Sequence, residues 1–134
     1  MATARTEITI DANADDVWEV IRDFENGPLL MARGHVTSSR TEDGVRVVTF
    51  ANGSVARERC IAVDDEQRRI VFSIIGGTVV PEHDNATMQV FDDGEGHSRF
   101  VWIHDVLPDT LAAPLLAAME HGNLAIQRTL RTST

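Results

Sequence analysis

The sequence predicts an α+β fold in which a curved antiparallel β-sheet of about seven strands wraps around a long C-terminal α-helix. One or two short helices are expected after the first strand. Three observations support this prediction. Residues 6–10 alternate like a short strand and run directly into a helical pattern. From about residue 34 to residue 106, the pattern has period two between turn signals. A single long helical pattern then reaches about Leu130.

The first helix is predicted to begin after Asp11 or Asn13, either of which can cap it, with acidic residues favouring its positive end. Asn26-Gly27-Pro28 should end it, and a second helical turn is expected over Leu29 to Ala32. The apolar residues at helical spacing are Val17, Val20, Ile21 and Phe24, with Trp18 beside them.

A β-hairpin is predicted at Asn52-Gly53, the dipeptide that most strongly favours a two-residue turn. Pairing Ala51 with Ser54 would place Val47 opposite Glu58 and Val45 opposite Cys60. Arginines on the other side should face water, which turns the side with Glu58 inward. The residues expected on that outer side include Arg46, Arg57, Arg59, Val48, Val55 and Ile61.

Three further strands are predicted over residues 69–75, 82–91 and 97–106, and the second should point Asp84 and Met88 inward. The last strand has two possible inward phases, Phe100, Trp102 and His104 or Val101, Ile103 and Asp105. Aromatic content slightly favours the first. Asp109 or Thr110 should cap the C-terminal helix. Its expected inner stripe is Leu115, Met119, Gly122 or Asn123, Ile126 and Leu130.

Composition limits the chemistry available. The 134 residues form one expected domain, 1–134, with 12 basic residues, 21 acidic residues and a formal net charge of -9. Every basic residue is arginine, and there is no lysine or tyrosine. These absences exclude a Schiff-base lysine and a P-loop lysine, and no cofactor is predicted. The acidic balance argues against nucleic acid and against an anionic membrane surface.

Location and metal binding also follow from simple patterns. No apolar run approaches the ~20 residues of a transmembrane helix, and the N-terminus lacks an apolar signal core. Cys60 is the single cysteine and cannot form an intramolecular disulfide, so a cytoplasmic location is expected. The five histidines show no zinc-ligand spacing, and no metal site is predicted.

Four stretches resemble the START-like superfamily, also called SRPBCC or polyketide cyclase/dehydratase proteins. They are Ile8 to Phe24, Gly44 to Glu66 with its hairpin, Phe72-Ser73-Ile74 with Gly76-Gly77, and Val101-Trp102 with Pro108. The resemblance implies a helix-grip fold with an elongated apolar cavity between the sheet and the C-terminal helix. Members bind lipids, steroids, polyketides or plant hormones, and a minority catalyse cyclisation or dehydration.

The resemblance extends to plant abscisic-acid receptors, and there it implies pocket positions for Glu58, Phe72, Ile74 and Asn123. The chain differs from those receptors at residues 50–54, where they carry a gate, and at residues 79–81, where they carry a latch. Hormone reception is therefore not predicted.

The sequence predicts a protein that binds a small hydrophobic ligand, such as a lipid, polyketide or isoprenoid-like molecule, in this cavity. The alternatives are a cyclase/dehydratase-type enzyme with Glu58 and His104 as base and acid, or an adaptor with a vestigial pocket. The expected ligand-binding residues are Glu58, Phe72, Ile74, Asp84, Met88, Trp102, His104, Met119 and Asn123. Glu58 could instead form a structural ion pair with Arg33 or another arginine.

Charge and surface patterning give two further expectations. Most arginines should face water, with Arg33 as the main exception, so a neutral ligand bearing a hydroxyl or carbonyl is favoured over a carboxylate. The protein should be a monomer or homodimer, because Val48, Val55 and Ile61 could form an exposed patch.

Overall fold

The computed structural model describes residues 1–131. The N-terminal half contains β1 (Ala2–Ile10), α1 (Ala14–Ile21), α2 (Gly27–Met31), β2 (Val36–Glu42), β3 (Val45–Phe50) and β4 (Val55–Asp64). The C-terminal half contains β5 (Arg69–Gly77), β6 (His83–Asp92), β7 (Ser98–Leu107), a 3₁₀ turn (Asp109–Leu111) and α3 (Ala112–Leu130). The end of the expected domain, residues 132–134, lies outside the described residues.

The strands form one antiparallel sheet of seven strands in the order β1-β7-β6-β5-β4-β3-β2. The short helices follow β1 and the long helix α3 closes the chain, so the predicted fold class is confirmed. Helix α3 packs against β1 and β7, and Gln127 Nε2 donates to the Thr9 carbonyl at 3.0 Å. A shared apolar core joins α1, α2, the sheet and α3.

Helix α1 begins as the sequence predicts, with Asn13 as its cap. The Asn13 side chain accepts a hydrogen bond from the Asp16 amide at 2.9 Å. The helix ends at Ile21, so the expected extension to Phe24 is wrong. The Asp23 carboxylate accepts from the Asn26 amide at 3.1 Å, and this local turn replaces the next helical turn.

Helix α3 differs from the prediction at its start. Asp109 lies in the 3₁₀ turn, and no side chain caps the helix at Leu111. The Asp109 carboxylate instead lies 3.2 Å from the N-terminal amine of Met1. An ion pair between the chain start and this turn therefore takes the place of the predicted cap.

The turn between β4 and β5 contains Asp65, whose side chain contacts two residues of the α1 region. Asp65 accepts from the Trp18 indole Nε1 at 3.0 Å and from Arg22 Nε at 2.7 Å. The hydrogen bond from Arg22, followed by that from Trp18, lowers the pKa of Asp65. These contacts attach α1 to the sheet.

The predicted hairpin exists, but the predicted register is wrong by one residue. The Phe50 amide donates to the Ser54 carbonyl at 2.9 Å, and Val45 lies opposite Arg59 rather than Cys60. Gly53 takes a positive φ of 90°, and Asn52 is not among the positive-φ residues, so a three-residue loop forms in place of a two-residue type I′ turn. The Asn52 side chain accepts from the Ser54 amide at 2.9 Å, which favours this loop.

The register moves Arg46 to the inside of the sheet, where it lies directly opposite Glu58. Arg46 is only 3% exposed, so its predicted outward position is wrong. Arg57 and Arg59 are exposed and Glu58 is buried, as expected. Val48 is also buried, which removes it from the proposed surface patch. Ile61 and Val63 remain exposed on β4.

Candidate functional site

A small cavity lies where α2, the sheet and α3 meet. Its volume is about 60 Å³. Most of its wall is apolar, and the polar exceptions are His35, Arg46, Glu58 and the indole of Trp102. The other lining residues are Pro28, Met31, Ala32, Val36, Val48, Phe50, Phe72, Met88, Gly122 and Ile126. Ligand sites for drug-sized molecules usually measure ~300–1,000 Å³, so a cavity of this volume holds only a small group.

The Arg46–Glu58 ion pair forms the polar part of the cavity wall. Arg46 Nε and Nη2 each lie 2.7 Å from Glu58 Oε1, so both contacts reach the same carboxylate oxygen. Arg46 Nη1 also donates to the Phe24 carbonyl at 2.8 Å. The guanidinium carbon lies 4.2 Å from the Phe24 ring centroid and 4.8 Å from that of Phe72. No donor within residues 1–131 forms a hydrogen bond to the other oxygen, Glu58 Oε2.

The electrostatic environment of Glu58 makes it unlike a surface carboxylate. Burial raises its pKa, while Arg46 opposes that shift through its charge and its hydrogen bond. His104 lowers the pKa further by its charge and Asp84 raises it. Glu58 therefore belongs to one buried group of interacting charges with Arg46, His104 and Asp84.

Asp84 and His104 form a second buried pair, on β6 and β7. His104 Nδ1 lies 2.7 Å from Asp84 Oδ1, and the other oxygen of Asp84 accepts from the Ile74 amide at 2.8 Å. An ionised carboxylate can only accept, so this contact places a proton on Nδ1, and Nε2 is the ring nitrogen that Asp84 does not contact. Asp84 points inward as the sequence predicts, and its side chain is fully buried.

Four buried polar side-chain atoms have no hydrogen-bond partner within residues 1–131: Thr6 Oγ1, Ser98 Oγ, Trp102 Nε1 and Asn123 Oδ1. Trp102 Nε1 is a donor and Asn123 Oδ1 is an acceptor. Trp102 lines the cavity and its ring lies beside Gly122 of α3. Buried polar groups are normally hydrogen-bonded, and an unpaired one costs ~1–3 kcal/mol. The indole NH is thus a buried donor without an acceptor within residues 1–131.

The structure brings together some of the residues that the sequence singled out. Glu58, Phe72, Met88 and Trp102 line the cavity. The Phe100, Trp102 and His104 phase of β7 faces inward, which settles the alternative left open by the sequence. The remaining expected residues do not line the cavity: Asp84, His104, Met119 and Asn123 are buried nearby, and Ile74 is half-buried.

A second concavity, here called the outer groove, lies on the surface directly outside the cavity. Its volume is about 380 Å³. It shares His35 and Phe50 with the cavity, and these two rings pack edge to face with centroids 5.4 Å apart. The outer groove is lined by Gly34, His35, Phe50, Ala51, Asn52, His121, Leu124, Ala125 and Arg128.

The sequence reasoning missed the outer groove. One signal for it exists, because His121, Leu124, Ala125 and Arg128 follow helical spacing and form a stripe beside the predicted inner stripe of α3. Nothing local to the sequence shows that this stripe meets the hairpin loop and the segment after α2. Arg33, which was expected to be the inward arginine, is exposed, and its amide donates to Thr129 Oγ1 at 3.2 Å.

A metal-binding cluster and a membrane-spanning helix are both absent from residues 1–131. Within residues 1–131, no three His, Cys, Asp or Glu side chains are grouped closely enough to hold a metal. None of the helices in that range has the length and hydrophobicity needed to span a bilayer. Cys60 is half-buried, and burial raises the pKa of its thiol, which reduces its nucleophilic form at neutral pH.

Comparison with known families agrees with this architecture. The model of the family described as polyketide cyclase / dehydrase and lipid transport matches residues 1–131. The chain belongs to this family. No curated protein sequence matches it significantly.

Solved structures show the same fold at low sequence identity. An uncharacterised protein from Bacillus thuringiensis is 23% identical and has a TM-score of 0.83, covering 96% of this chain and 98% of the other. Ginseng major latex-like protein 151 from Panax ginseng is 14% identical with a TM-score of 0.80, covering 97% and 95%. A START superfamily protein from Mycobacterium smegmatis is 13% identical with a TM-score of 0.69, covering 97% of both chains. The fold is therefore START-like.

Proposed function

We propose that the protein binds a small hydrophobic ligand carrying a hydroxyl or carbonyl group in the cavity between the sheet and α3. The observation that carries this proposal is an apolar wall interrupted by a few buried polar groups, which is the usual composition of a ligand site. Glu58 Oε2 could accept from a hydroxyl, and Trp102 Nε1 could donate to a carbonyl. Membership of a family described by lipid transport supports the same ligand class.

The small volume of the cavity places a condition on this function. Because a water-sized probe needs ~10–15 Å³, the cavity has room for about four to six waters. A longer ligand must therefore extend past His35 and Phe50 or displace them. We expect binding to move these two rings, while the Arg46–Glu58 pair stays in place because it is fixed by several short contacts.

The first experiment is a calorimetric titration of the purified protein with 1-octanol, an uncharged apolar alcohol. We expect saturable binding at one site. Val48→Phe should weaken binding at least about tenfold, because the larger ring fills the cavity that Val48 lines. Val63→Phe is the matched control, since it makes the same change at an exposed position on β4. Absence of saturable binding to the wild type, or equal binding by Val48→Phe, would overturn the proposal.

A milder variant guards against misfolding of Val48→Phe. A Cβ added at Gly122 would meet Trp102 Cζ3 at 3.4 Å and His35 Nε2 at 3.6 Å, which are ordinary contacts. Gly122→Ala should therefore fold, with helix stability raised by up to ~1 kcal/mol. It should also weaken octanol binding, because its methyl group enters the cavity from α3.

A second candidate function is acid–base catalysis on a carbonyl-bearing substrate, and the Asp84–His104 pair favours it. A carboxylate that fixes a histidine tautomer beside a buried glutamate of raised pKa is an arrangement suited to proton transfer. The pair lies outside the cavity wall, so substrate would have to reach it through a rearrangement. For this reason ligand binding remains the first proposal.

Deuterium exchange into a model carbonyl compound tests for acid–base catalysis without requiring the natural substrate. The probe is the acidic methylene of acetylacetone in D₂O, followed by NMR. If the protein is an acid–base catalyst, it should accelerate exchange, and Glu58→Gln and His104→Ala should each lower the catalysed rate about a hundredfold. Glu66→Gln, an exposed change in the β4–β5 turn, should leave the rate unchanged. Wild-type rates in both site variants would reject this function.

A further inference from the structure

The outer groove differs in charge from the rest of this acidic chain. Its ionisable lining groups are His35, His121 and Arg128, and no carboxylate is among its lining residues in the described chain. Glu120 precedes His121 on α3 but is exposed and does not line the groove. With a net charge of -9 for the whole chain, a groove without carboxylates is a local departure from the average.

Arg128 supplies the fixed positive charge of the outer groove. Burial, followed by the charge of His121, lowers the pKa of His35, so His35 is neutral at physiological pH. An arginine stays charged under all ordinary conditions. None of the ion pairs formed within residues 1–131 involves Arg128. Within those residues its guanidinium has no acidic partner, and an anionic ligand group would take that place.

The outer groove and the cavity are adjacent compartments. His35 and Phe50 line both, and their rings are packed edge to face, so one ligand that occupies both spaces must contact or displace these rings. Leu124 is 62% exposed and gives the groove an apolar wall beside Arg128. The outer groove thus places an apolar wall and a fixed cation next to the mainly apolar cavity.

We propose that the outer groove binds the anionic head group of a single-chain amphiphile, with Arg128 contacting a carboxylate or phosphate and the apolar chain passing His35 and Phe50 into the cavity. This inference rests on the proposed function and adds the ligand class. It also revises the sequence-based expectation of a neutral ligand. That expectation considered the cavity charge alone, and Arg128 lies outside the cavity.

The test compares three probes of equal chain length: octanoate, octyl phosphate and 1-octanol. Each is titrated calorimetrically, below its aggregation concentration, into the wild-type protein at neutral pH and low salt. At least one anionic probe should bind more tightly than octanol. Arg128→Gln should weaken binding of that probe about tenfold, as expected for loss of a charged hydrogen bond that is partly screened by solvent. The same variant should leave octanol binding unchanged.

Two further variants test whether binding depends on the charge at position 128 and on its position in the outer groove. Arg128→Lys should retain most of the affinity, because the charge is kept. Arg57→Gln is the matched control, since Arg57 is an exposed arginine on β4 outside both lining sets. The tighter of the two anionic probes would identify the head group as carboxylate or phosphate.

The outcomes separate this inference from the proposed function. If octanol binds but Arg128→Gln leaves both anionic probes unaffected, or weakens all three probes equally, the head-group site is overturned and the apolar cavity stands. If octanol does not bind at all, the proposed function fails, and the amphiphile inference fails with it.

Discussion

At the scale of single residues, Arg46 and Glu58 form a buried ion pair in which each charge depends on the other. Arg46→Met removes the guanidinium and leaves Glu58 buried without a counter-charge. Breaking a buried pair in this way costs ~3–5 kcal/mol, whereas replacing both partners costs far less. We therefore expect Arg46→Met to lower the free energy of urea unfolding by about that amount at pH 7, and Arg46→Met/Glu58→Gln to recover part of the loss.

The pH dependence of the Arg46→Met variant gives a second readout at this scale. Without Arg46, burial acts unopposed by the main positive charge, so the folded-state pKa of Glu58 rises further above its unfolded value of ~4.3. The folded protein then prefers protonated Glu58. The variant should be most stable below the unfolded pKa and lose stability as pH rises through the folded pKa. A single variant as stable as the double variant across this range would contradict the interpretation.

At the scale of secondary-structure elements, strands with regular polar–apolar alternation could be predicted from the sequence. Strand segments with few apolar residues could not. The period-two pattern of β6 correctly placed Asp84 and Met88 inward, since the residues that alternate with them are all polar: His83, Asn85, Thr87 and Gln89. The beginning of β1, Ala2-Thr3-Ala4-Arg5, was missed because it has little hydrophobic content, and its pairing with β7 is decided by the rest of the sheet.

The candidate site shows the same division. Glu58 could be predicted as buried because exposed arginines flank it on β4. Its partner Arg46 could not, because the three-residue hairpin loop shifts the register by one residue, and such a shift reverses the face of every side chain on a strand. The outer groove combines residues from three separate segments of the chain, so its assembly depends on tertiary packing that no local pattern records.

At the scale of the whole molecule, the 21 acidic and 12 basic residues produce self-repulsion that opposes the folded state. Exposed ion pairs such as Arg40–Glu42 contribute only ~0–1 kcal/mol each, so screening them costs little. Raising NaCl from about 20 mM to about 300 mM shortens the Debye length from ~20 Å to ~6 Å. We therefore expect the urea midpoint at pH 7 to rise with salt.

The same measurement near pH 4.8, the pI calculated from the sequence, provides the control, because little net charge remains to be screened there. The salt effect should then largely disappear. A midpoint that falls with salt at pH 7 would mean that favourable ion pairs outweigh the net repulsion. The prediction also bears on ligand choice, since an acidic surface repels anions over a Debye length at low salt. An anionic amphiphile would then favour a place lined by a cation and by no carboxylate, as the outer groove with Arg128 is within the described residues.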